Sequence, residues 1–479
     1  MNYDNNATRT HRDLLIRVCK LFNENRLVDN IDRIPLELRP KGAKSYRCCF
    51  YKDRAMLKYR LMGTLGFGYE DEADELKTLG AYAQESLLVT TKNSRILTVI
   101  GEACSACVQS KYFITNACRG CMARPCTINC PKKAITMNAH GQAEINPELC
   151  VNCGICMKVC PYHSIIRMPI PCEEACPVNA IEKDGNGKAI IDFSKCILCG
   201  KCMRECPFGA IIERSEITRV LSALRGNKPV VLMIAPAVAG QFVAEYGQLL
   251  TALRLLGFHT VVEVARGASQ TAKAEAAEFE ERMAHGAQFM TSSCCPSYVQ
   301  AVSKHCEAIA PMVSTTPTPL YFTARDVKKQ YPDCISVFVS PCIAKRQEVA
   351  ENPLVDMVIT CEELGAMIAA KGIDVSACEV TETYDAARPD GRGFPMSGGV
   401  TAAVREYLTD KDLVRPQIID GLTRQNMKLL KLYSGPKGMQ NGNFLEVMVC
   451  EGGCVNGPCT MENPGLAKKR IGAMMQKTD

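Results

Sequence analysis

The chain has 479 residues, of which 47% are hydrophobic, 23% are charged and 29 are cysteine; its formal net charge is +6. That length exceeds one ordinary core and predicts two or three domains, and the hydrophobic content excludes wholesale disorder. Disulfides of a small secreted protein are also excluded, because the chain is long and its start, MNYDNNATRTHRDLL, carries neither an apolar signal core nor twin arginines. The longest apolar run, 230–243, is broken by Pro236, Gly240 and Gln241 and is too short to cross a bilayer. A soluble cytoplasmic protein whose thiols hold metal is expected. No basic run, aromatic platform or tryptophan points to nucleic acid. The surplus positive charge would be offset by bound clusters of about −2 each.

Residues 1–100 hold three cysteines, Cys19, Cys48 and Cys49. The spacing of Leu14, Leu15, Val18, Leu21 and Phe22 predicts an N-terminal helical segment, to which no chemistry is assigned. The Cys48-Cys49 pair reads as small apolar packing, and the acidic stretch 70–75 as a solvated face or loop.

Residues 101–215 read as an α+β ferredoxin-like region. Cys150-x2-Cys153-x2-Cys156-x3-Cys160-Pro161 and Cys196-x2-Cys199-x2-Cys202-x3-Cys206-Pro207 both have the bacterial ferredoxin spacing. In that pattern a tight loop wraps three thiolates around one 4Fe–4S cubane, and the fourth serves the partner cluster. A stretched copy runs Cys118-x2-Cys121-x4-Cys126-x3-Cys130-Pro131, and another is split between Cys104-x2-Cys107 and Cys172-x3-Cys176-Pro177. After each Cys-Pro step a similar phrase recurs (KKAIT, YHSII, VNAIE, FGAII), which marks an internal repeat of two tandem dicluster units. The crossed rule groups Cys150, Cys153 and Cys156 with Cys130, and Cys118, Cys121 and Cys126 with Cys160. It also groups Cys196, Cys199 and Cys202 with Cys176. Cys104, Cys107, Cys172 and Cys206 remain as a fourth set by elimination, with zinc on four thiolates as the competing reading.

Beyond 214 the pattern becomes α/β. Strands are predicted at 230–234, 336–340 and 355–359, and helices at 249–256 and 362–370. Strands that end in functional loops suit a largely parallel sheet with ligands at the carboxyl ends.

Three cysteine loops follow one another in this half: Ser293-Cys294-Cys295-Pro296, Pro341-Cys342-Ile343-Ala344-Lys345 and Cys450-Glu451-Gly452-Gly453-Cys454. Together they resemble the active-site loops of iron–iron (FeFe) hydrogenases, and the resemblance covers about 228–459 plus the ferredoxin portion. It implies a catalytic domain over 216–479, built as two lobes with largely parallel sheets. It also implies an H-cluster, in which Cys295, Cys342, Cys450 and Cys454 hold a 4Fe–4S cubane. Cys454 would bridge that cubane to a two-iron subsite carrying CO, cyanide and a dithiolate bridge. The activity implied is 2H⁺ + 2e⁻ ⇌ H₂, with electrons relayed by four accessory 4Fe–4S clusters to a ferredoxin or flavodoxin. Dedicated maturation proteins would supply the two-iron subsite.

By the same resemblance Cys294 passes protons to and from the subsite, and Glu275, Ser314, Glu278 and Arg282 carry them outward. Lys345 would donate to a cyanide with Glu348 orienting it, and Phe394 and Met448 would line the pocket. Spacing alone leaves plainer readings open. Glu275, Glu278 and Arg282 share a helix face that suits an exposed ion-paired helix, Lys345 suits a solvated loop, and Phe394 and Met448 suit an ordinary core.

Ala237, Leu320, Ser340 and Tyr298 stand where the family usually has serine, glutamine, methionine and tryptophan. Gly457-Pro458-Cys459 interrupts an expected glycine run, and these changes place the chain in a divergent branch of the monomeric enzymes. Cys306, Cys334, Cys361, Cys378 and Cys459 read as buried free thiols. The competing functions are a hydrogen or redox sensor using the same site and a non-enzymatic iron–sulfur assembly protein. Cys294, Lys345 and the complete relay count against the assembly protein, and the kept Cys294, a thiol that such sensors often lose, counts against the sensor.

Overall fold

The computed structural model describes residues 5–89, 95–104, 107, 111–381, 387–435 and 437–476. Helix α1 (Asn6–Asn23) starts at Asn5, whose side-chain oxygen accepts from the Ala7 and Thr8 N–H groups. Helices α2 (Phe50–Thr64) and α3 (Leu79–Leu88) follow. The buried stripe of α1, Leu14, Leu15, Val18, Cys19 and Phe22, closes on no core of its own. It packs on the helix Cys361–Ala370 and shares one hydrophobic core with Val231, Leu232, Val337 and Ile359. The N-terminal helices are therefore a wall of the α/β region.

The stretch 70–75 is an exposed turn and loop, as expected, and it also pairs with Arg214: that side chain, 7% exposed, meets Glu70 at 2.7 Å and Asp71 at 2.9 Å, while Glu72 takes Lys58. One local expectation is corrected here. Cys48 is exposed rather than packed, with its Sγ 3.8 Å from that of Cys49, because the chain turns outward there to begin α2 on Cys49.

Four antiparallel ladders build the cysteine-rich region. Strand β1 (Leu97–Val99) pairs with β8 (Ile211–Glu213), β2 (Tyr112–Ile114) with β5 (Ile165–Arg167), β3 (Ile135–Met137) with β4 (Ala143–Ile145), and β6 (Ile181–Lys183) with β7 (Ala189–Ile191). Because β1 reaches across 111–168 to pair with β8, one dicluster unit is inserted inside the other, which modifies the tandem order expected. This nesting explains the split set: Cys104 and Cys107 follow β1, and Cys172 and Cys176 lie beyond the inserted unit.

Two parallel sheets follow. One has the order β10-β9-β12-β13, with β9 (Val230–Ile234), β10 (Thr260–Glu263), β12 (Ile335–Ser340) and β13 (Met357–Thr360). The other has the order β11-β15-β14, with β11 (Met290–Thr291), β14 (Pro416–Asp420) and β15 (Phe444–Met448). All five residues of β9 and of β15 are buried, as expected of strands covered on both faces. β13 starts at Met357, later than predicted; Asp356 before it gives its N–H to the Ser336 carbonyl (3.1 Å), and its carboxylate accepts from the Ser336 N–H (2.8 Å) and Lys328 (2.8 Å). Around the sheets lie α4 (Ala265–Ala284), α5 (Pro296–His305), α6 (Ala344–Glu351) and α7 (Gly399–Tyr407). Among the described residues no helix is long and apolar enough to cross a membrane.

Candidate active site

Loops leaving the carboxyl ends of β9, β11, β12 and β15 converge on one internal cavity of about 90 Å³. One water occupies roughly 30 Å³, so the space suits a group of several atoms. Cys295, Cys342, Cys450 and Cys454 all line it, as do Cys294 and Lys345. Cys295 caps α5, whose first residue is Pro296, so the cysteine carbonyl opens the helix while its thiol faces inward. The Cys450–Cys454 turn closes through Gly453 at φ +97°, where a Cβ would lie 2.3 Å from the Pro395 carbonyl oxygen. Only glycine allows that approach.

The cavity walls are otherwise apolar, and Lys345 is the only charged side chain lining it among the described residues. Burial pushes the thiols up, Cys342 to about 11 and Cys454 to about 12, with neighbouring thiols adding to the shift. A buried thiol set of this kind deprotonates when a metal centre supplies the compensating charge. The donor chemistry therefore fits an iron–sulfur group. Burial works against the Lys345 charge, but Glu348 outweighs it and holds the ammonium above its ordinary value. Lys345 pairs with Glu348, which accepts from Thr318 Oγ1 at 2.5 Å, and its Nζ lies 3.5 Å from the Cys294 carbonyl oxygen.

A line of polar groups leads from Cys294 to the surface. Glu275 on α4 is fully buried, and neither carboxyl oxygen makes a hydrogen bond among the described residues. Burial pushes Glu275 up to about 8; Ser314 relieves part of the shift, and Glu278 adds to it. Ser314 donates to Glu278 at 2.7 Å and accepts from the Thr316 N–H at 3.1 Å. Glu278 is the opposite case. Burial works against its charge, but donors led by the Thr315 N–H (2.9 Å) and joined by the Ser314 and Thr316 hydroxyls hold it at about 2. Arg282 pairs with Glu278 at 2.6 Å, donates to the Pro311 and Val313 carbonyls, and is 21% exposed.

Phe394 and Met448 line the cavity and also belong to the hydrophobic core beneath it. Ala237, Leu320 and Ser340 face the cavity too, whereas Tyr298 is buried in the core with its hydroxyl donating to Thr291 Oγ1 at 3.0 Å. Of the unassigned thiols, Cys306, Cys334, Cys361 and Cys459 are buried and Cys378 is only half-buried.

Two residues at the site were missed in the sequence. Glu446 on β15 is fully buried and accepts from the Gly398 N–H (2.8 Å), the Thr401 N–H (2.8 Å) and Thr401 Oγ1 (2.7 Å) at the start of α7. Its charge bears on Cys294, Glu275 and Cys454. The signal was a lone carboxylate within the apolar strand FLEVM. Cys199, read as an accessory ligand, lines the active-site cavity as well.

The accessory cysteines gather in the groups given by the crossed spacing. Cys130, Cys150, Cys153 and Cys156 surround one small cavity, and Cys118, Cys121, Cys126 and Cys160 another. Cys176, Cys196, Cys199 and Cys202 are electrostatic neighbours, and so are Cys104, Cys107, Cys172 and Cys206. The repeated Cys-Pro phrase has a structural cause. Three residues after each such cysteine the chain enters the left-handed region, at Lys133, His163, Asn179 and Gly209. In three copies the next N–H then points back at the sulfur, with Ala134, Ala180 and Ala210 donating at 3.3, 3.2 and 3.4 Å. In the fourth, Ser164 Oγ lies 3.2 Å from Cys160 Sγ.

Helix α5 connects the two kinds of site. It begins at Cys295, and at its far end, about 15 Å away, Lys304 donates to the Cys196 carbonyl at 2.7 Å. Arg424 donates to the Cys176 carbonyl at 3.2 Å.

Residues 228–458 match the family described as iron-only hydrogenase large subunit, C-terminal domain. Residues 117–164 match a 4Fe-4S dicluster domain and 189–212 a 4Fe-4S binding domain. Iron hydrogenase 1 of Clostridium pasteurianum is 28% identical over 330 residues, which is 56% of this chain and 57% of that protein. The NADP-reducing hydrogenase subunit HndD of Solidesulfovibrio fructosivorans is 28% identical over 323 residues, 54% of this chain and 55% of that protein. The chain thus spans little more than half the length of these relatives. Among solved structures, apo FeFe-hydrogenase HydA1 from Chlamydomonas reinhardtii is 20% identical, with a TM-score of 0.44 over 54% of this chain and 88% of its own. On these matches, residues 228–458 carry a domain of the iron-only hydrogenase large subunit family, and it follows a region that matches 4Fe-4S dicluster and 4Fe-4S binding domains.

Proposed function

We propose that the chain catalyses 2H⁺ + 2e⁻ ⇌ H₂ at an H-cluster that Cys295, Cys342, Cys450 and Cys454 would hold. The observation that carries this reading is the meeting of those four thiols with Cys294 and Lys345 in one apolar cavity. The bound group would supply redox-active iron and an open coordination position. The protein's part is to exclude water, orient the group and move protons. Lys345, backed by Glu348, offers an ammonium to an anionic diatomic ligand. Cys294 would hold a proton at its thiol on the cavity wall, and protonated Glu275 holds the next one inside the protein. Ser314 passes it by hydroxyl reorientation, and Glu278 with Arg282 delivers it to water.

Electrons leave by a separate route. The set Cys176, Cys196, Cys199 and Cys202 stands next to the active site, and the other three sets extend outward as accessory 4Fe–4S clusters. A ferredoxin or flavodoxin in the cytoplasm serves as partner, and maturation proteins install the two-iron subsite.

Infrared spectroscopy of the protein matured with the diiron cofactor is the decisive test, with iron and zinc counted in the same sample. Bands of iron-bound CO and cyanide are expected, with about 16 irons from accessory cubanes and about 6 from the active site. Full cubane loading without those bands would sink the hydrogenase reading. Stoichiometric zinc with three accessory cubanes would remove the Cys104, Cys107, Cys172 and Cys206 assignment.

A further inference from the structure

The two dicluster units are copies of one pattern, so each position in one has a counterpart in the other. Hairpin β3–β4 of the inserted unit corresponds to β6–β7 of the enclosing one: Met137 pairs with Ala143 as Lys183 pairs with Ala189. The Ala143 N–H points at Cys118 Sγ (3.4 Å) and the Ala189 N–H at Cys104 Sγ (3.1 Å), so the hairpins cover equivalent sulfurs. Where the inserted unit packs neutral Met137 against its cysteines, the enclosing unit places an ammonium. Lys183 Nζ lies 3.8 Å from Cys104 Sγ, and among the described residues no carboxylate pairs with it. Its charge also bears on Cys107 and Cys172.

We propose that Lys183 raises the reduction potential of the cluster held by Cys104, Cys107, Cys172 and Cys206 above that of its counterpart on Cys118, Cys121, Cys126 and Cys160. The inference rests on the accessory-cluster reading above. One-electron reduction, [4Fe–4S]²⁺ + e⁻ → [4Fe–4S]⁺, takes the thiolate-bound cluster from a net charge of about −2 to about −3. A half-buried ammonium beside a ligand sulfur stabilises the more negative state. At the counterpart the side-chain contacts on the sulfurs are neutral hydroxyls, Ser164 at Cys160 and Thr127 at Cys126, with Arg119 lining the same cavity, and a charge-assisted contact on a sulfur is about twice as strong as a neutral one.

Location gives the shift a use. The short helix Pro171–Ala175, which carries Cys172, is also where the inserted unit attaches, through Lys111 with Glu173 (3.7 Å) and Arg167 with Glu174. The raised cluster thus stands between the inserted unit and the set nearest the active site. It can hold one electron while the second of a two-electron reaction arrives.

The test is a reciprocal exchange in the full chain carrying its four accessory cubanes, read by potentiometric electron paramagnetic resonance with dithionite as the one-electron donor. Lys183→Met should move one cluster's midpoint to more negative potential and leave the other three in place, and Lys183→Arg should keep it. Met137→Lys should move a different cluster positive, which keeps the test available if the first variant folds poorly. Four cubanes whose midpoints do not move in either exchange would overturn the inference and leave the cluster reading standing. Fewer than four cubanes in the unaltered protein would overturn both.

Discussion

Cys294→Ala is expected to lose hydrogen turnover in both directions by at least about 100-fold, the usual cost of removing a proton-transfer group. Its iron content and its CO and cyanide bands should stay those of the unaltered protein. The reason lies in two adjacent residues with different surroundings. Cys295 opens α5 and joins Cys342, Cys450 and Cys454 around the cavity, so Cys295→Ala deletes a thiolate that a methyl group cannot replace. Cys294 faces the same cavity, yet burial pushes its thiol up, so it keeps its proton until the chemistry calls for it. Alanine there removes a proton carrier and leaves the four proposed cubane ligands untouched. Full activity in Cys294→Ala would show that protons leave by another path, and the Glu275–Arg282 line would lose its assignment.

How much of this was legible in the sequence depends on the range of the interactions involved. Cubane loops are local: three cysteines within seven residues and a proline-led turn fix their own geometry, so spacing alone grouped Cys150, Cys153 and Cys156. The nesting of the two units was not legible as such, because it is decided by β1 pairing with β8 more than a hundred residues away. The Cys104 set was reached by elimination for the same reason. Glu275 and Glu278 look alike in sequence, as two carboxylates on one helix face. Only the fold puts the first in an apolar interior and wraps the second in hydroxyl and N–H donors from 314–316. Glu446 escaped notice because its partners, Gly398 and Thr401, come from another part of the chain. The stretch 70–75 was read correctly as an exposed loop, but its partner Arg214 is likewise distant and was not legible.

Glu275→Gln should make the protein slower and, above neutral pH, more stable. Glu275 titrates at about 8 in the folded protein against an ordinary 4.5, chiefly because burial disfavours its charge. The folded state therefore keeps a proton that the unfolded chain has already released. The sign follows from that difference. Stability from this group is fully present below about pH 4.5, is lost as pH rises toward 8, and is gone above it. Glutamine has the same shape and cannot ionise. The two proteins should unfold at similar temperatures near pH 5 and diverge by pH 8 to 9, with the unaltered protein the less stable by a few kcal/mol, an order-of-magnitude figure. Circular dichroism melts of the cluster-loaded proteins across that range measure the gap. Turnover should fall by about 100-fold or more, since an amide cannot take up and release the proton that passes between Cys294 and Ser314. A stabilising change that removes activity is the signature of a strained functional group. If the gap in melting temperature stayed constant from pH 5 to 9, Glu275 would be an ordinary ionised carboxylate in the folded protein, and the proton next to Cys294 would have to rest elsewhere.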